Sequence, residues 1–184
     1  MILLNPGPVN VSERVRQALL RPDICHRESE FTELLLRIQG KLLKAFVPGA
    51  EADYAAVLIT GSGTAAVESA LMSAIPHGKR VLVLNNGVYG ERLSQMVGLH
   101  RLGVSELKYE WTVRPDPERL RLALRQHPEV HAVAMVHHET TTGLINPVKE
   151  IADVVDSQNR AFILDAVSGL GGETIDIAGS HIYM

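Results

Sequence analysis

Residues 57–71, VLITGSGTAAVESAL, decide the fold and the first candidate site. An apolar run leads into two glycines that are one residue apart, and the pattern then becomes helical from about residue 63. A strand that feeds a glycine-containing turn and a helix N-terminus presents backbone N–H groups that favour an anion. A plain strand-to-helix connection without a ligand has the same pattern, so the other strand ends must decide between the two.

Short apolar runs and helical patterns alternate along the rest of the chain. The patterns predict strands at 54–60, 80–85, 105–111, 131–137 and 161–166. They predict helices at 12–20, 29–46, 63–75, 88–101, 117–126 and 147–158. Short apolar strands between longer helices indicate parallel β/α units with helices on both faces. We therefore expect an α/β fold, a three-layer α/β/α domain with a mostly parallel sheet. Residues 1–50 would form an N-terminal segment with helices, and residues 51–184 a partial large domain.

Composition argues against several classes of function. The net charge is -3 and the 18 Lys and Arg residues form no block, so a nucleic-acid or anionic-membrane surface is not indicated. No apolar stretch reaches the ~18 residues of a membrane helix, and the N-terminus lacks the charged start of a signal peptide. The single cysteine, Cys25, fits a reducing compartment, and we expect a cytoplasmic protein.

Ligands in parallel sheets bind beyond the carboxyl ends of the strands, so the residues that follow each strand are the candidate site. The amides and hydroxyls of Ser62, Gly63 and Thr64 follow the first predicted strand and are arranged to ring a phosphate. Tyr89 follows the second predicted strand, and its ring is able to stack on a flat heterocycle, although a half-buried helix start explains it equally well.

Two further strand ends carry polar groups. Thr140, Thr141 and Thr142 offer hydroxyls after the strand at 131–137. Asp165 ends an apolar strand, where a carboxylate is costly without a partner. Capping a turn, binding a metal and pairing with a cationic ring nitrogen are all open to this carboxylate. A phosphate cup, a stacking ring, hydroxyls and a carboxylate together match pyridoxal phosphate, which is the cofactor we predict.

A nicotinamide dinucleotide and a metal ion are weaker alternatives. The spacing Gly61-x-Gly63-x-x-Ala66 fits the dinucleotide fingerprint, but the next strand ends in Asn85-Asn86-Gly87 and supplies no carboxylate for the ribose. The pair His137–His138 is adjacent on a strand, so its two side chains point to opposite faces. We therefore predict no metal site.

Five motifs, in this order, resemble the class V (fold-type I) aminotransferases: LLNPGPVNVSERV, GSGTAAVESAL, NNGVYGERL, AMVHHETTTGLINP and ILDAVSGLGGETIDIAGSHI. The most similar branch is the 2-aminoethylphosphonate–pyruvate transaminases, and the alanine–glyoxylate and serine–pyruvate aminotransferases are the alternative. The resemblance implies a homodimer with active sites at the subunit interface. It implies ping-pong transamination from 2-aminoethylphosphonate to pyruvate, which gives phosphonoacetaldehyde and alanine.

The resemblance also implies roles for particular residues. Ser62, Gly63 and Thr64 would hold the cofactor phosphate, and Asp165 would pair with the pyridine nitrogen. Tyr89 and Val167 would lie against the two ring faces, and Thr140 or Thr141 would reach the ring hydroxyl. The loop Asn5-Pro6-Gly7 would approach the substrate.

The family's Schiff-base lysine would lie beyond Met184, in a segment that follows the next strand. The lysines within the sequence lie in predicted helices, before a strand or inside one: Lys41, Lys44, Lys79, Lys108 and Lys149. We therefore expect no catalytic residue in these 184 residues, which would form an N-terminal fragment that is inactive or nearly so. Arg27 and Arg92 are candidates for gripping the substrate's acid group, but surface or structural roles suit both better. A non-catalytic remnant that binds phosphate or a partner chain is the alternative from another class.

Overall fold

A computed structural model describes residues 2–5, 7–175 and 180–184, and the chain divides into two compact units, Met1–Ile59 and Thr60–Met184. The first unit contains helix α1 (Glu13–Ala18), helix α2 (Ser29–Phe46) and a 3-10 turn (Glu51–Asp53). The Ser12 hydroxyl accepts a hydrogen bond from the Val15 N–H and so begins α1. Both predicted helices of this unit are confirmed, and α1 ends two residues early.

A five-stranded parallel sheet forms the centre of the second unit. Its strands are β1 (Arg80–Asn85), β2 (Gly103–Lys108), β3 (Val130–Val136), β6 (Ala161–Asp165) and β7 (Ile182–Tyr183), in the spatial order β2-β1-β3-β6-β7. Strands β4 (His138–Glu139) and β5 (Leu144–Ile145) pair as a separate antiparallel hairpin. The predicted strand at 105–111 is shifted, because β2 begins at Gly103 and ends at Lys108.

Four helices cover the two faces of the sheet: α3 (Gly63–Ala74), α4 (Val88–Leu99), α5 (Pro117–Gln126) and α6 (Val148–Ser157). One buried apolar cluster joins α5 and α6 to the sheet, and it includes Leu120, Ile151 and Phe162. The second cluster joins α3 and α4 to the opposite face, and it includes Leu71 and Leu93. Helix, sheet and helix therefore form three layers, which confirms the predicted fold class. None of the described helices is both long and apolar enough to cross a bilayer.

The strand predicted at residues 54–60 is wrong. Residues 54–59 form neither a helix nor a strand, and the Val57 side chain is 77% exposed. An apolar run becomes a strand only when a neighbouring strand completes its hydrogen bonds, and no strand among the described residues pairs with this segment. The apolar pattern indicates strand propensity, but propensity alone does not supply a partner.

The register of the strands places the candidate site. Leu84 of β1 lies beside Met135 of β3, and Val136 lies beside Asp165 of β6. The ladder continues one step further, since the His137 N–H donates to the Asp165 carbonyl over 2.8 Å. The segments that follow β1, β3 and β6 therefore emerge side by side at one edge of the sheet.

Two leucines of the same helix test which face of α4 supports the fold. Leu93 is 2% exposed and Leu99 is 83% exposed. We expect Leu93→Ala to lower the free energy of unfolding by about 2–5 kcal/mol, because the substitution leaves a cavity between α4 and the sheet. Leu99→Ala is the matched control, with an expected change within about 0.5 kcal/mol. Urea denaturation followed by circular dichroism measures both, and equal losses would contradict this packing.

Candidate cofactor site

The start of α3 carries the predicted phosphate cup, which we define as residues 62–64 and call the cup. The Ser62 hydroxyl accepts a hydrogen bond from the Ala65 N–H over 3.3 Å, which makes Ser62 the N-cap of the helix. The N–H groups of the first turn have no acceptor within the helix. Together with the positive end of the helix dipole, they make the cup suitable for a dianion such as phosphate.

An arginine from another helix reaches the cup. The Arg92 guanidinium of α4 donates from Nη2 to the Thr64 hydroxyl over 2.8 Å. The sequence pattern favours a surface or structural role for Arg92 over ligand binding. The structure brings the positive charge of Arg92 to the cup, because α4 begins just after the carboxyl end of β1.

Asp165 lies at the end of β6 and is only partly exposed. Its Oδ1 accepts a hydrogen bond from the Val167 N–H over 3.1 Å. Burial raises the pKa of the Asp165 carboxyl above its ordinary value, and the negative charge of Glu139 raises the pKa further. The hydrogen bond from Val167 and the charge of Arg92 lower the pKa and so act in the opposite direction. A cation beside this carboxylate would favour its ionised form.

Val167 connects the cup to the carboxylate. Helix α3 packs on β6, and a Cβ atom at Gly63 would lie 2.8 Å from both Cγ atoms of Val167. Any larger residue at position 63 would therefore force the Val167 side chain to shift. Val167 lies against Gly63 and donates its N–H to Asp165, so this one residue links the cup to the carboxylate.

Two apolar side chains of the candidate site, those of Val167 and Tyr89, are exposed. Val167 is 63% exposed although it directly follows a buried strand, and the Tyr89 ring at the start of α4 is also exposed. The family resemblance implies that these two side chains contact the two ring faces, and these roles stay a prediction.

Glu139 is a buried carboxylate at the candidate site that sequence analysis did not select. Its side chain is fully buried at 0% exposure, and its Oε2 accepts a hydrogen bond from the Tyr89 N–H over 3.1 Å. Its Oε1 accepts from the Thr141 hydroxyl over 2.6 Å. The available signal was a carboxylate just past a buried strand. A carboxylate at the end of an apolar strand is also the pattern that identified Asp165. Had the residues after β3 been searched for the same pattern, Glu139 would have been selected.

The members of the threonine run have different partners. Thr141 donates its hydroxyl hydrogen to Glu139, and the Thr142 hydroxyl donates to the Glu139 carbonyl over 3.3 Å. The Thr140 hydroxyl makes no hydrogen bond with another described residue. Thr140 is therefore the member of the run whose hydroxyl remains available to a ligand.

Two buried asparagines, Asn86 and Asn146, connect the loops after β1 and β3 through hydrogen bonds. The Asn86 amide donates to the Asn146 carbonyl oxygen over 2.8 Å, and the Asn146 amide donates to the Val136 carbonyl over 2.8 Å. Both side chains are buried. Their hydrogen bonds tie the segment after β1 to the segment after β3, so the two loops are held as one surface.

The N-terminal loop lies in the first unit. Asn5 and Gly7 are exposed there, and Pro6 lies outside the described residues. Their role near a substrate stays a prediction.

The residues at this edge fit pyridoxal phosphate. A helix N-terminus and an arginine suit its phosphate, and two exposed apolar side chains suit its ring faces. The Asp165 carboxylate has a raised pKa and accepts one hydrogen bond from the described residues, that of the Val167 N–H, so it suits a protonated ring nitrogen.

Comparison with known proteins agrees with this chemistry. The sequence profile of the family described as aminotransferase class-V matches residues 20–184. The chain is 42% identical over 177 residues to a 2-aminoethylphosphonate–pyruvate transaminase of Syntrophobacter fumaroxidans, covering 96% of this chain and 47% of that protein.

Solved structures give the same grouping. An alanine–glyoxylate aminotransferase from Nostoc sp. superposes with a TM-score of 0.87 at 30% identity, covering 96% of this chain and 46% of that one. A pyridoxamine–pyruvate aminotransferase from Mesorhizobium loti superposes with a TM-score of 0.86 at 29% identity, covering 96% and 44%. The chain spans about half the length of the curated relatives it matches.

The raised pKa of Asp165 has a consequence for stability. Its pKa in the folded chain lies above the ordinary value of 3.8, so the folded state is penalised once the group ionises. We expect Asp165→Asn to raise the midpoint of thermal unfolding of the cofactor-free chain at pH 7, by about 2–4 °C per kcal/mol gained. The gain should shrink as the pH falls through the raised pKa of folded Asp165 and should vanish below 3.8, where the carboxyl is protonated in both the folded and the unfolded state.

The Asp165→Asn substitution keeps an oxygen that can accept from the Val167 N–H, so it isolates the charge. Asp153→Asn, on the exposed face of α6, is the control and should not raise the midpoint. Scanning calorimetry over a pH series from acid to neutral compares the variants. A lower midpoint for Asp165→Asn at neutral pH would contradict the assigned burial penalty.

Proposed function

Because this chain belongs to the class-V aminotransferase family, we propose that it serves a transaminase that moves an amino group from 2-aminoethylphosphonate to pyruvate. The products would be phosphonoacetaldehyde and alanine. The observation that carries the proposal is the close approach of Gly63 to Val167, which brings a phosphate cup and a partly buried carboxylate to one site. The family depends on pyridoxal phosphate. The name of the 42% identical relative supports the choice of amino donor.

The cup would bind the phosphate group of the cofactor. The Ser62, Gly63 and Thr64 amides would donate hydrogen bonds, and the helix dipole would add a favourable field. Arg92 already contacts Thr64, so its charge would compensate the phosphate without a large rearrangement.

The remaining residues would orient the ring. Tyr89 and Val167 would contact its two faces and exclude water from them. Thr140 would hydrogen bond to the ring hydroxyl, because the Thr141 hydroxyl is already donated to Glu139. Asp165 would hold the proton on the ring nitrogen. The bound cofactor supplies an electron-withdrawing ring that stabilises negative charge on the substrate carbon.

We assign no Schiff-base lysine within residues 1–184. Lys108 pairs with Glu106 and Lys149 pairs with Asp153. Lys79 precedes β1, and Lys41 and Lys44 lie in the first unit. The amine and oxo-acid substrates and the homodimer belong to this proposal and are supported by the family resemblance. The cytoplasmic location also belongs to it and is supported by the single cysteine, Cys25.

Alanine–glyoxylate or serine–pyruvate transamination is the second candidate. The TM-score of 0.87 to the alanine–glyoxylate aminotransferase of Nostoc favours it. A phosphonate dianion requires more cationic contacts than a carboxylate does. The two candidate amino donors therefore differ in the positive charge that they require from the site, and the donor panel below distinguishes them.

An amino-donor panel tests the proposed reaction. The protein is expressed from the whole reading frame that contains these 184 residues, and kcat/KM is measured for 2-aminoethylphosphonate, alanine and serine, with pyruvate or glyoxylate as acceptor. We expect 2-aminoethylphosphonate with pyruvate to exceed the other pairs by about 100-fold, since a site built for a dianion leaves its cations unpaired with other donors. Preference for alanine with glyoxylate would support the second candidate. Cofactor binding without turnover of any donor would overturn both.

The role of Arg92 in the cup has its own test. We expect Arg92→Gln to weaken pyridoxal phosphate binding by about 10-fold or more, because it removes a charge-assisted contact. Pyridoxal, which lacks the phosphate, should bind the variant and the wild type alike. Arg125→Gln on the exposed side of α5 is the control. Isothermal titration gives the dissociation constants, and an equal loss for both ligands would place the effect outside the cup.

A further inference from the structure

The Glu139 side chain joins two loops of the candidate site. Its Oε2 accepts from the Tyr89 N–H in the first turn of α4, over 3.1 Å. Its Oε1 accepts from the Thr141 hydroxyl over 2.6 Å and from the Thr141 N–H over 3.4 Å. One carboxylate therefore spans from the residue that carries the stacking ring to the threonine run.

The carbonyl of the same residue holds the other side of the threonine loop. It accepts hydrogen bonds from the Thr142 N–H over 3.2 Å and from the Gly143 N–H over 2.8 Å. Backbone and side chain of Glu139 together fix residues 141–143, so the position of Thr140 is set from both directions.

The surroundings stabilise a buried negative charge at this point. The carboxylate is fully buried and lies at the N-terminus of α4, where the helix dipole favours an anion. Gly87 leaves the space that the carboxylate occupies, since a Cβ there would lie 2.7 Å from Oε2. Burying a carboxylate that no cation neutralises costs desolvation free energy, so a purely structural contact would lower the stability of the fold unless the charge has a further role.

We propose that Glu139 is a positioning residue for the cofactor ring. It holds the Tyr89 end of α4 and the threonine loop at a set separation. It also adds a second negative charge to the ring side of the site, which we define as Tyr89, Thr140, Asp165 and Val167. The inference rests on the proposed function, because the ligand is pyridoxal phosphate. Cup and ring side are distinct parts of the site, and Glu139 acts on the ring side only.

The charge of Glu139 acts on Asp165. The pKa of the Asp165 carboxyl is raised first by burial and also by Glu139, and Arg92 opposes both. Glu139 and Arg92 are thus both close enough to Asp165 for their charges to affect it, and the arginine's hydrogen bond is directed to the cup. A cationic ring nitrogen would supply the missing positive charge.

Two substitutions separate position from charge. Glu139→Gln keeps an oxygen to accept from the Tyr89 N–H and an amide that can donate to the Thr141 hydroxyl, but it removes the charge. Glu139→Ala removes both the charge and the link. Glu150→Gln, an exposed glutamate in α6, is the matched control. Thr141→Val, compared with Thr141→Ser, tests the same link should Glu139→Ala fail to fold.

The probe is 4-deoxypyridoxine 5′-phosphate, which has no aldehyde and therefore binds without a lysine. Dissociation constants come from titration calorimetry of the protein from the whole reading frame, and ring orientation comes from the circular dichroism induced in the bound chromophore. We expect Glu139→Ala and Thr141→Val to weaken binding about tenfold or more and to reduce the induced signal. Glu139→Gln and Thr141→Ser should stay within about threefold of wild type.

The pH profile distinguishes positioning from general support of the fold. Binding should fall as the pH drops through the pKa of Asp165, and Glu139→Gln should move that midpoint to lower pH because one neighbouring negative charge is gone. The control Glu150→Gln should leave the midpoint unchanged.

Three outcomes would overturn the proposal: wild-type affinity in folded Glu139→Ala, an unchanged midpoint in Glu139→Gln, or an equal loss of affinity for inorganic phosphate alone in Glu139→Ala. The last would place the defect at the cup. Failure of the wild-type protein to bind the probe would instead overturn the proposed function.

Discussion

The close approach of Gly63 to Val167 is the contact on which the candidate site depends. A helix start and a strand end can share a ligand only if they come close together, and a side chain at position 63 would collide with the Val167 side chain. The parallel register brings β6 to the same edge as β1 and β3. The anion-binding end of α3 and the carboxylate of Asp165 therefore belong to one surface, and their chemistry can be considered together.

Charge at this edge is arranged unevenly. Arg92 and the start of α3 are positive and lie at the cup, while Asp165 and Glu139 are negative and lie on the ring side. A ligand with a phosphate at one end and a protonated ring nitrogen at the other matches this separation. A simple anion or a simple cation would match only half of it. Membership of the class-V aminotransferase family gives the same ligand by an independent route.

The site differs in rigidity from one part to another. Asn86, Asn146 and Glu139 are buried and hydrogen bonded, so the loops that carry Tyr89 and the threonines rest on a fixed polar layer. Tyr89 and Val167 themselves remain exposed above that layer. Buried networks of this kind orient the side chains that meet a ligand, which explains why residues without ligand contact can influence binding.

The sequence by itself determined the layer order of the fold and most strand positions, because buried parallel strands are short apolar runs and helices have a distinct period. It also placed Asp165 at the end of a strand and Tyr89 at the start of a helix, since strand ends are visible in the pattern. Residues 62–64 were selected because they follow a predicted strand that the structure does not contain, although the predicted helix start at residue 63 is confirmed. Only the tertiary structure showed that residues 54–59 lack a strand partner among the described residues, that Arg92 reaches Thr64, and that Glu139 uses the hydroxyl of Thr141 and leaves that of Thr140 available. These facts depend on which residues meet across the fold, and periodicity along the chain carries no information about such meetings.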